Sequence, residues 1–557
     1  MRQPGGADDS VIGFLHGYLL EGSGSNLWTR SVLQALCRTG EVVHLVCQEP
    51  HPERYDFIAE VQDYTVGGNA TLRWQREVPY AGACIMHKPA LGDTLPVYVW
   101  DEYEEFERVV PMVDLAAAEI EDYLRRNVAV VRDVVRARGI TVLQANHAVL
   151  MSVVAQRVHA ELGVPYAVMP HGSALEYAVK PDARFHHYAS GAFGAARRIF
   201  VSAAELRDRV LATFPDMPEL ATRMTEIRVG VDTSGFQPVE RTARADNIEI
   251  VAELLQGSAA GRRPAQTRTL VEDLSADRSP NRVKRALQRA AEYDGKLPDS
   301  DAAEKLRGVD WTTGDVILFV GRLIVAKGIQ CVIAALPEIL QSRPGAQLVI
   351  AGHGPLREPL EALLFALRQG ERGLAERLAA GSAEEDLLVS EPMSGVQEYW
   401  DRLAADGRLD AYYRSASMLL RQETVRFVGY MTHRELQWIF PCCDVGVFPS
   451  LVKESGPMVF LEALSSGCFP VGTYFAGMKQ KIDAVAPYLH GDDAQWLKVS
   501  ASADELAADL ARTIPGAMRV APQYARVLRG VAEREYDWQP IAAKLAATLK
   551  EIAASSA

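Results

Sequence analysis

Ten short apolar runs, most rich in Val and Ile, alternate with helical segments, and they do so in two separate series. The first series is VIGFLHG (11–17), VVHLVC (42–47), TVLQAN (141–146), YAVMP (166–170) and IFVSA (199–203). The second restarts with VILFVG (316–321), LVIAG (348–352), VRFVG (425–429), DVGVFPS (444–450) and FPVGT (469–473). Unbroken apolarity over a strand's length marks a strand buried on both faces. Such strands form parallel sheets covered by helices on both sides. Two series therefore predict an α/β chain with two parallel sheets. Ligands in such sheets lie beyond the carboxyl ends of the strands, so functional residues belong in the loops that follow them, and two facing sheets would line a cleft with such loops.

Length and charge narrow the class further. The chain has 557 residues, too many for one core. It is 48% hydrophobic and 24% charged, the balance of a folded rather than a disordered protein. The 72 Asp and Glu outnumber the 59 Lys and Arg, for a net charge of −13, which argues against a nucleic-acid-coating role. No apolar run reaches the length of about 18 residues that a membrane helix needs. The N-terminal segment has acidic residues before its first apolar run, unlike a secretory leader. The seven cysteines (37, 47, 84, 331, 442, 443, 468) are scattered without a C-x-x-C pair, as in reduced thiols of a cytoplasmic protein.

Two stretches interrupt the second series. Residues 241–310 hold 13 basic and 12 acidic residues with no strand-like run, and about 370 to 415 is also helical. Both read as surface insertions. Within the first, Arg282, Lys284, Arg285 and Arg289 make a basic helix, read mainly as a solvated face and otherwise as a peripheral membrane contact. Near the C-terminus, Ile541, Leu545, Leu549 and Ile552 fall on one helical stripe that must pack on something.

Several strand ends carry charged residues suited to a phosphorylated ligand. After VILFV come Gly321, Arg322 and Lys327, two cations ahead of a helix that begins near Ile329. Cations beside the positive end of a helix suit a diphosphate. After DVGVFPS comes Glu454, then Gly456-Pro457 opening a helix that bears Glu462. In the first series the loop Gly22-Ser23-Gly24-Ser25-Asn26 follows the first strand, and His171 follows the fourth. The loop has Leu27 where a dinucleotide fingerprint requires its third glycine, which argues against a nicotinamide enzyme. Asp299-Ser300-Asp301 could be mistaken for a metal-binding acid pair, but no strand precedes it.

GRLIVAKG, LVIAGHGPL, VRFVGYMTHREL and DVGVFPSLVKESGPMVFLEALSSGCFPV occur in the order seen in retaining GT-B glycosyltransferases of the large group one family (glycosyltransferase family 4-like), which this chain resembles. VMPHG around His171, ARRIFVSAAELR, VGVDTSGFQP (229–238) and DWQPIAAKL extend the resemblance over nearly the whole chain. It implies two facing Rossmann-like domains with a central cleft: an N-terminal acceptor domain over 1–235, completed by the C-terminal helix 539–557, and a donor domain over 236–538. It also implies sugar transfer from a nucleoside-diphosphate sugar to an acceptor hydroxyl with retention of configuration, without a metal or other cofactor. The acceptor it implies is unspecified and would be a sugar, glycan or small molecule.

The same resemblance assigns roles residue by residue. Arg322 and Lys327 would neutralise the departing diphosphate, and Glu454 and His171 would contact the donor sugar. Glu462 would accept hydrogen bonds from the ribose hydroxyls. Gly24, Ser25, Gly321, Met431, Gly456, Met458 and Val459 would line the donor site, largely through main chain, and Asn26 would meet the acceptor. Three positions depart from the family pattern: Gly456-Pro457 stands where Phe-Gly is usual, Ala174 replaces an acid, and Ala476-Gly477 replaces a glycine pair. Proline removes one possible donor amide. The alternative reading is a catalytically inert GT-B subunit that binds a nucleotide sugar or glycan; a nucleotide-sugar epimerase is a third.

Overall fold

The computed structural model describes residues 10–555 apart from 67, 93, 99–102, 104, 382–390 and 455. The chain divides into two units, one made of the chain up to Gly230 together with the stretch from Tyr536, the other of Val231–Glu535.

The first unit is built on β1 (Ile12–Leu15), β2 (Val42–Val46), β3 (Ile58–Tyr64), β4 (Ala70–Gln75) and β5 (Ala83–Pro89). There follow β6 (Thr94–Val97), β7 (Arg108–Pro111), β8 (Val142–Asn146), β9 (Tyr166–Met169), β10 (Arg198–Val201) and β11 (Met224–Glu226). Nine of them form one sheet in the order β11-β10-β9-β8-β1-β2-β5-β3-β4, and β6 pairs with β7 separately. Every pairing in the large sheet is parallel except β3 with β4. The central strands are buried along their whole length, as their unbroken apolarity requires. The helix Trp538–Ala554 buries Ile541, Leu545, Leu549 and Ile552 and packs against the helix Gly24–Arg38 and β8.

The second unit has a fully parallel sheet of β12 (Val316–Val320), β13 (Gln347–Ala351), β14 (Val425–Gly429), β15 (Val445–Phe448), β16 (Phe469–Thr473) and β17 (Lys498–Val499). Their order is β14-β13-β12-β15-β16-β17. The segment 241–310 forms four helices, Arg244–Leu255, Pro264–Ala276, Pro280–Ala290 and Ala302–Arg307. Pro280–Ala290 buries Val283, Ala286, Leu287 and Ala290, so its apolar face is already covered and Arg282, Arg285 and Arg289 point outward.

The described part of the stretch from about 370 to 415 is helical, but not all of it lies at the surface. Its helices Val396–Ala405 and Leu409–Leu419 bury Tyr399, Trp400, Leu403 and Tyr412, and they pack on the helices Ile329–Ser342 and Ala503–Glu535. Interleaved charges mask this apolar face in the sequence. No described helix is long and apolar enough to cross a membrane. All seven cysteines are buried free thiols.

Candidate functional site

In the second unit the strand order grows outward in both directions from the β12/β15 boundary. Such a reversal parts the flanking loops and leaves a crevice at the carboxyl ends of the strands. The loops around it are tied together by main chain. Gly321 N donates to Ala351 O (3.1 Å), Gly352 N to Gly429 O (2.8 Å), and Leu323 N to His353 O (2.7 Å). Leu451 N donates to Ala326 O (2.8 Å), joining the loop after β15 to the one after β12. Gly328 makes this approach possible: its φ is +72°, and a Cβ there would lie 2.0 Å from Pro449 O.

This shelf brings Lys327 and Glu454 together. Lys327 Nζ donates to Glu454 Oε1 at 2.7 Å, with the side chains 29% and 22% exposed. Arg322, on the same loop as Lys327, is exposed; its carbonyl accepts from Ile324 N (3.0 Å), but its guanidinium has no hydrogen bond or ion pair with any described residue. The two cations are therefore not held as a preformed pair: one is engaged by a carboxylate and the other is open to solvent.

Glu462 is buried on the helix Met458–Ser465. Its Oε1 meets His433 Nε2 at 2.7 Å, while Oε2 is buried with no hydrogen-bond partner among the described residues. His433 begins the helix His433–Ile439, which is fixed by a reciprocal Thr432–Glu435 cap. Pro457 occupies the N-cap of the Glu462 helix rather than its first turn, so the amides of Met458 and Val459 open that helix and lack an intrahelical acceptor. Met431 is buried, leaving only its main chain to meet a ligand.

The first unit has its own reversal between β1 and β8, and three histidines gather at these strand ends. His16 follows β1, His147 follows β8 and His171 follows β9. The His147 ring lies 5.7 Å from that of His16 and 4.8 Å from that of His171. Asn146 links the group, with Nδ2 3.3 Å from His16 Nδ1 and Oδ1 3.4 Å from His171 Nε2. Burial lowers the pKa of His16 to about 4. Burial, with the His16 charge as a smaller cause, lowers that of His171 to about 3. His147 is also pushed down by burial, and neither of its ring nitrogens has a hydrogen-bond partner among the described residues. All three imidazoles are therefore neutral near pH 7.

The loop after β1 is arranged differently from the expectation for Asn26. That side chain is fully buried, with Oδ1 3.1 Å from His16 Nε2 and Nδ2 donating to Glu21 O. Both ends of its amide are used in folding the loop, so Asn26 offers no polar group to an acceptor. Ser23 caps the helix by accepting from Asn26 N (3.3 Å), and Ser25 Oγ lies 3.0 Å from Ser23 Oγ. A Cβ on Gly24 would meet nothing within 4 Å, so that position faces open space.

His433, His16, Asn146 and His147 were missed as site residues. His433 lies inside the VRFVGYMTHREL motif, and the other three stand at or just past the ends of β1 and β8, where a search confined to strand ends finds them. Among the described residues, no group of three or more His, Cys, Asp or Glu side chains is placed to hold a metal ion. Asp299 is instead an ion-pair partner of Arg357 and Lys305.

Two α/β units built on parallel strands, each with a reversal of strand order, are the architecture of the GT-B fold. Likeness to solved structures agrees. The sucrose-phosphate synthase from Thermosynechococcus elongatus matches with a TM-score of 0.53 at 16% identity, covering 98% of this chain and 100% of that one. The catalytic domain of starch synthase IV from Arabidopsis thaliana, bound to ADP and acarbose, matches with a TM-score of 0.52 at 12% identity, covering 98% and 99%.

Residues 314–379 and 402–514, all within the second unit, match the family model for glycosyl transferases group 1. An uncharacterized glycosyltransferase of Methanocaldococcus jannaschii is 54% identical over 167 residues, 30% of this chain and 29% of that protein. The chain thus spans less than a third of the length of that relative.

Proposed function

We propose that this protein is a retaining glycosyltransferase that moves a sugar from a nucleoside-diphosphate sugar to an acceptor hydroxyl, without a metal ion. Arg322 and Lys327 would balance the charge that develops on the departing diphosphate, the kind of electrostatic stabilisation that usually dominates catalysis. Lys327 already engages Glu454, so a diphosphate arriving beside it would leave the ammonium bridging phosphate and carboxylate. Glu454 would then be aimed at the hydroxyls of the transferring sugar. The reacting carbon becomes oxocarbenium-like, and attack from the leaving group's own face lets the diphosphate oxygen take the acceptor's proton.

The observation that carries this reading is the Glu462 carboxylate. One oxygen is held by His433 and the other is buried without a donor among the described residues. An unsatisfied buried acceptor costs about 1–3 kcal/mol, and more when charged; a ribose hydroxyl is a donor of the right kind to relieve it.

The test is to incubate the purified chain with UDP-, ADP- and GDP-sugars, with and without sugar acceptors, and to follow release of the diphosphate. Arg322→Ala should lower kcat/KM by about 10²-fold, equivalent to about 2.7 kcal/mol. Unchanged turnover would remove Arg322 from this role. Tight binding without turnover would select the inert binding subunit, and a changed sugar without any acceptor would select an epimerase.

A further inference from the structure

The charged segment 241–310 reaches the carboxyl edge of the second sheet. β14 is the edge strand there, and the insertion adds an extended piece to its end. Asp299 N donates to Val428 O (3.0 Å) and Tyr430 N donates to Leu297 O (3.1 Å), with Pro298 bridged antiparallel to Gly429. Gly429 has φ +80°, and a Cβ there would lie 2.5 Å from Asp299 N, so this pairing requires glycine. Buried charges pin the piece in place. Asp299 Oδ2 accepts from Arg357 (2.7 Å) and Lys305 (2.6 Å), while Arg262 binds Glu361 (2.7 Å) and Glu358. Burial pushes the Asp299 carboxyl up, but the Arg357 and Lys305 charges outweigh it and hold it below its usual range.

The direction of a bound nucleotide follows from the donor reading above, on which this inference rests. With the diphosphate at the loop after β12 and the ribose on Glu462, the base must leave the ribose on some side. His433, bonded to Glu462, opens the helix that follows the Gly429–Thr432 loop. That loop carries Tyr430, whose ring stands edge-on to His353 with centroids 5.1 Å apart. Gly295 of the insertion lies against His353: a Cβ placed on Gly295 would be 3.9 Å from His353 Cβ.

We propose that the insertion's turn Asp294–Leu297 forms the outer wall of the nucleobase subsite and sets which base the donor carries. The turn is stiffened by Lys296 N donating to Asp294 Oδ1 (2.9 Å). Specificity for one base over another needs a wall that discriminates by shape or by unpaired polar groups, and this wall is supplied by a segment outside the repeating strands and helices.

The experiment uses the full chain and isothermal titration with UDP, ADP and GDP. A Cβ at Gly295 meets only ordinary contacts, so Gly295→Trp should fold and lay its indole beside His353. The affinity of the purine nucleotides relative to UDP should then shift by about fivefold or more, whereas Gly295→Ala should leave the ratio within about twofold. Gly295→Leu gives the same readout should the larger side chain prevent folding. An unchanged ratio, or an equal loss for all three nucleotides, overturns the proposal. Arg322→Ala should weaken all three alike, so a wild-type chain that binds none of them counts against the donor reading itself rather than against the wall.

Discussion

Lys327→Ala separates a functional ion pair from a structural one. The Lys327–Glu454 pair is short, at 2.7 Å, but its side chains are 29% and 22% exposed. Water screens such a pair, so its worth to folding is at most about 1 kcal/mol. A change of that size moves the melting temperature by about 2–4 °C in a domain of 150–250 residues, and by less in the larger second unit. If the ammonium instead stabilises a departing diphosphate, its loss should lower kcat/KM by about 10²- to 10³-fold, or about 2.7–4 kcal/mol in the barrier. Glu454→Gln keeps the shape and a hydrogen-bond acceptor while removing the charge, and should lower transfer without unfolding the loop. The assay pairs initial rates of donor turnover with differential scanning calorimetry on the same preparation. A fall in melting temperature of more than about 5 °C with kcat/KM within about threefold of wild type would show that the pair is a latch between loops, and the catalytic reasoning would be refuted.

Two further outcomes concern folding. Arg357 is buried, bonded to Asp299 and Glu361, and stacked on Phe427 with its guanidinium 4.3 Å from the ring centre. Arg357→Met should cost about 3–5 kcal/mol by leaving buried carboxylates uncompensated, and Asp299→Asn in the same chain should recover part of that in urea unfolding; a single-variant loss below about 1 kcal/mol would show the network to be dispensable. In the first unit, His16 and His171 have folded pKa values of about 4 and about 3 against an ordinary 6.5. The unfolded chain therefore binds more protons below pH 6.5, and stability should be full above that value and fall as the pH drops toward 4. His16 alone contributes roughly 3 kcal/mol at full effect, and a melting temperature that stays flat from pH 7 to about 4.5 would contradict the buried neutral assignment.

All ten strands named from apolar runs are present, because a strand buried on both faces writes its burial directly into the sequence. The strands that were not anticipated lie where that signal fails. β4 is an antiparallel edge strand with most of its residues exposed, and β5 carries His87, Lys88 and Pro89 at its end. β3 buries only every third residue, and β11 and β17 are only three and two residues long. The burial of Tyr399 and Trp400 was not legible because charged residues share their helical turns.

The site was partly legible for a related reason. Lys327 and Glu454 stand in loops fixed by strand ends, so their meeting follows from topology once β12 and β15 are neighbours. The His433–Glu462 bond joins residues 29 positions apart on two different helices, and no local spacing encodes it. Asn26 shows the opposite failure: a polar residue in a glycine-rich loop looks available, yet its side-chain amide is turned inward onto His16 and the Glu21 carbonyl.

The return of the helix Trp538–Ala554 to the first unit reverses the usual order of events during synthesis. The second unit, a continuous stretch of chain, has all of its own residues before the ribosome delivers Leu545 and Leu549 to the sheet that β1 began. The first unit is thus completed only after the second, and through the translation of roughly three hundred residues it lacks the helix that packs on Gly24–Arg38 and β8.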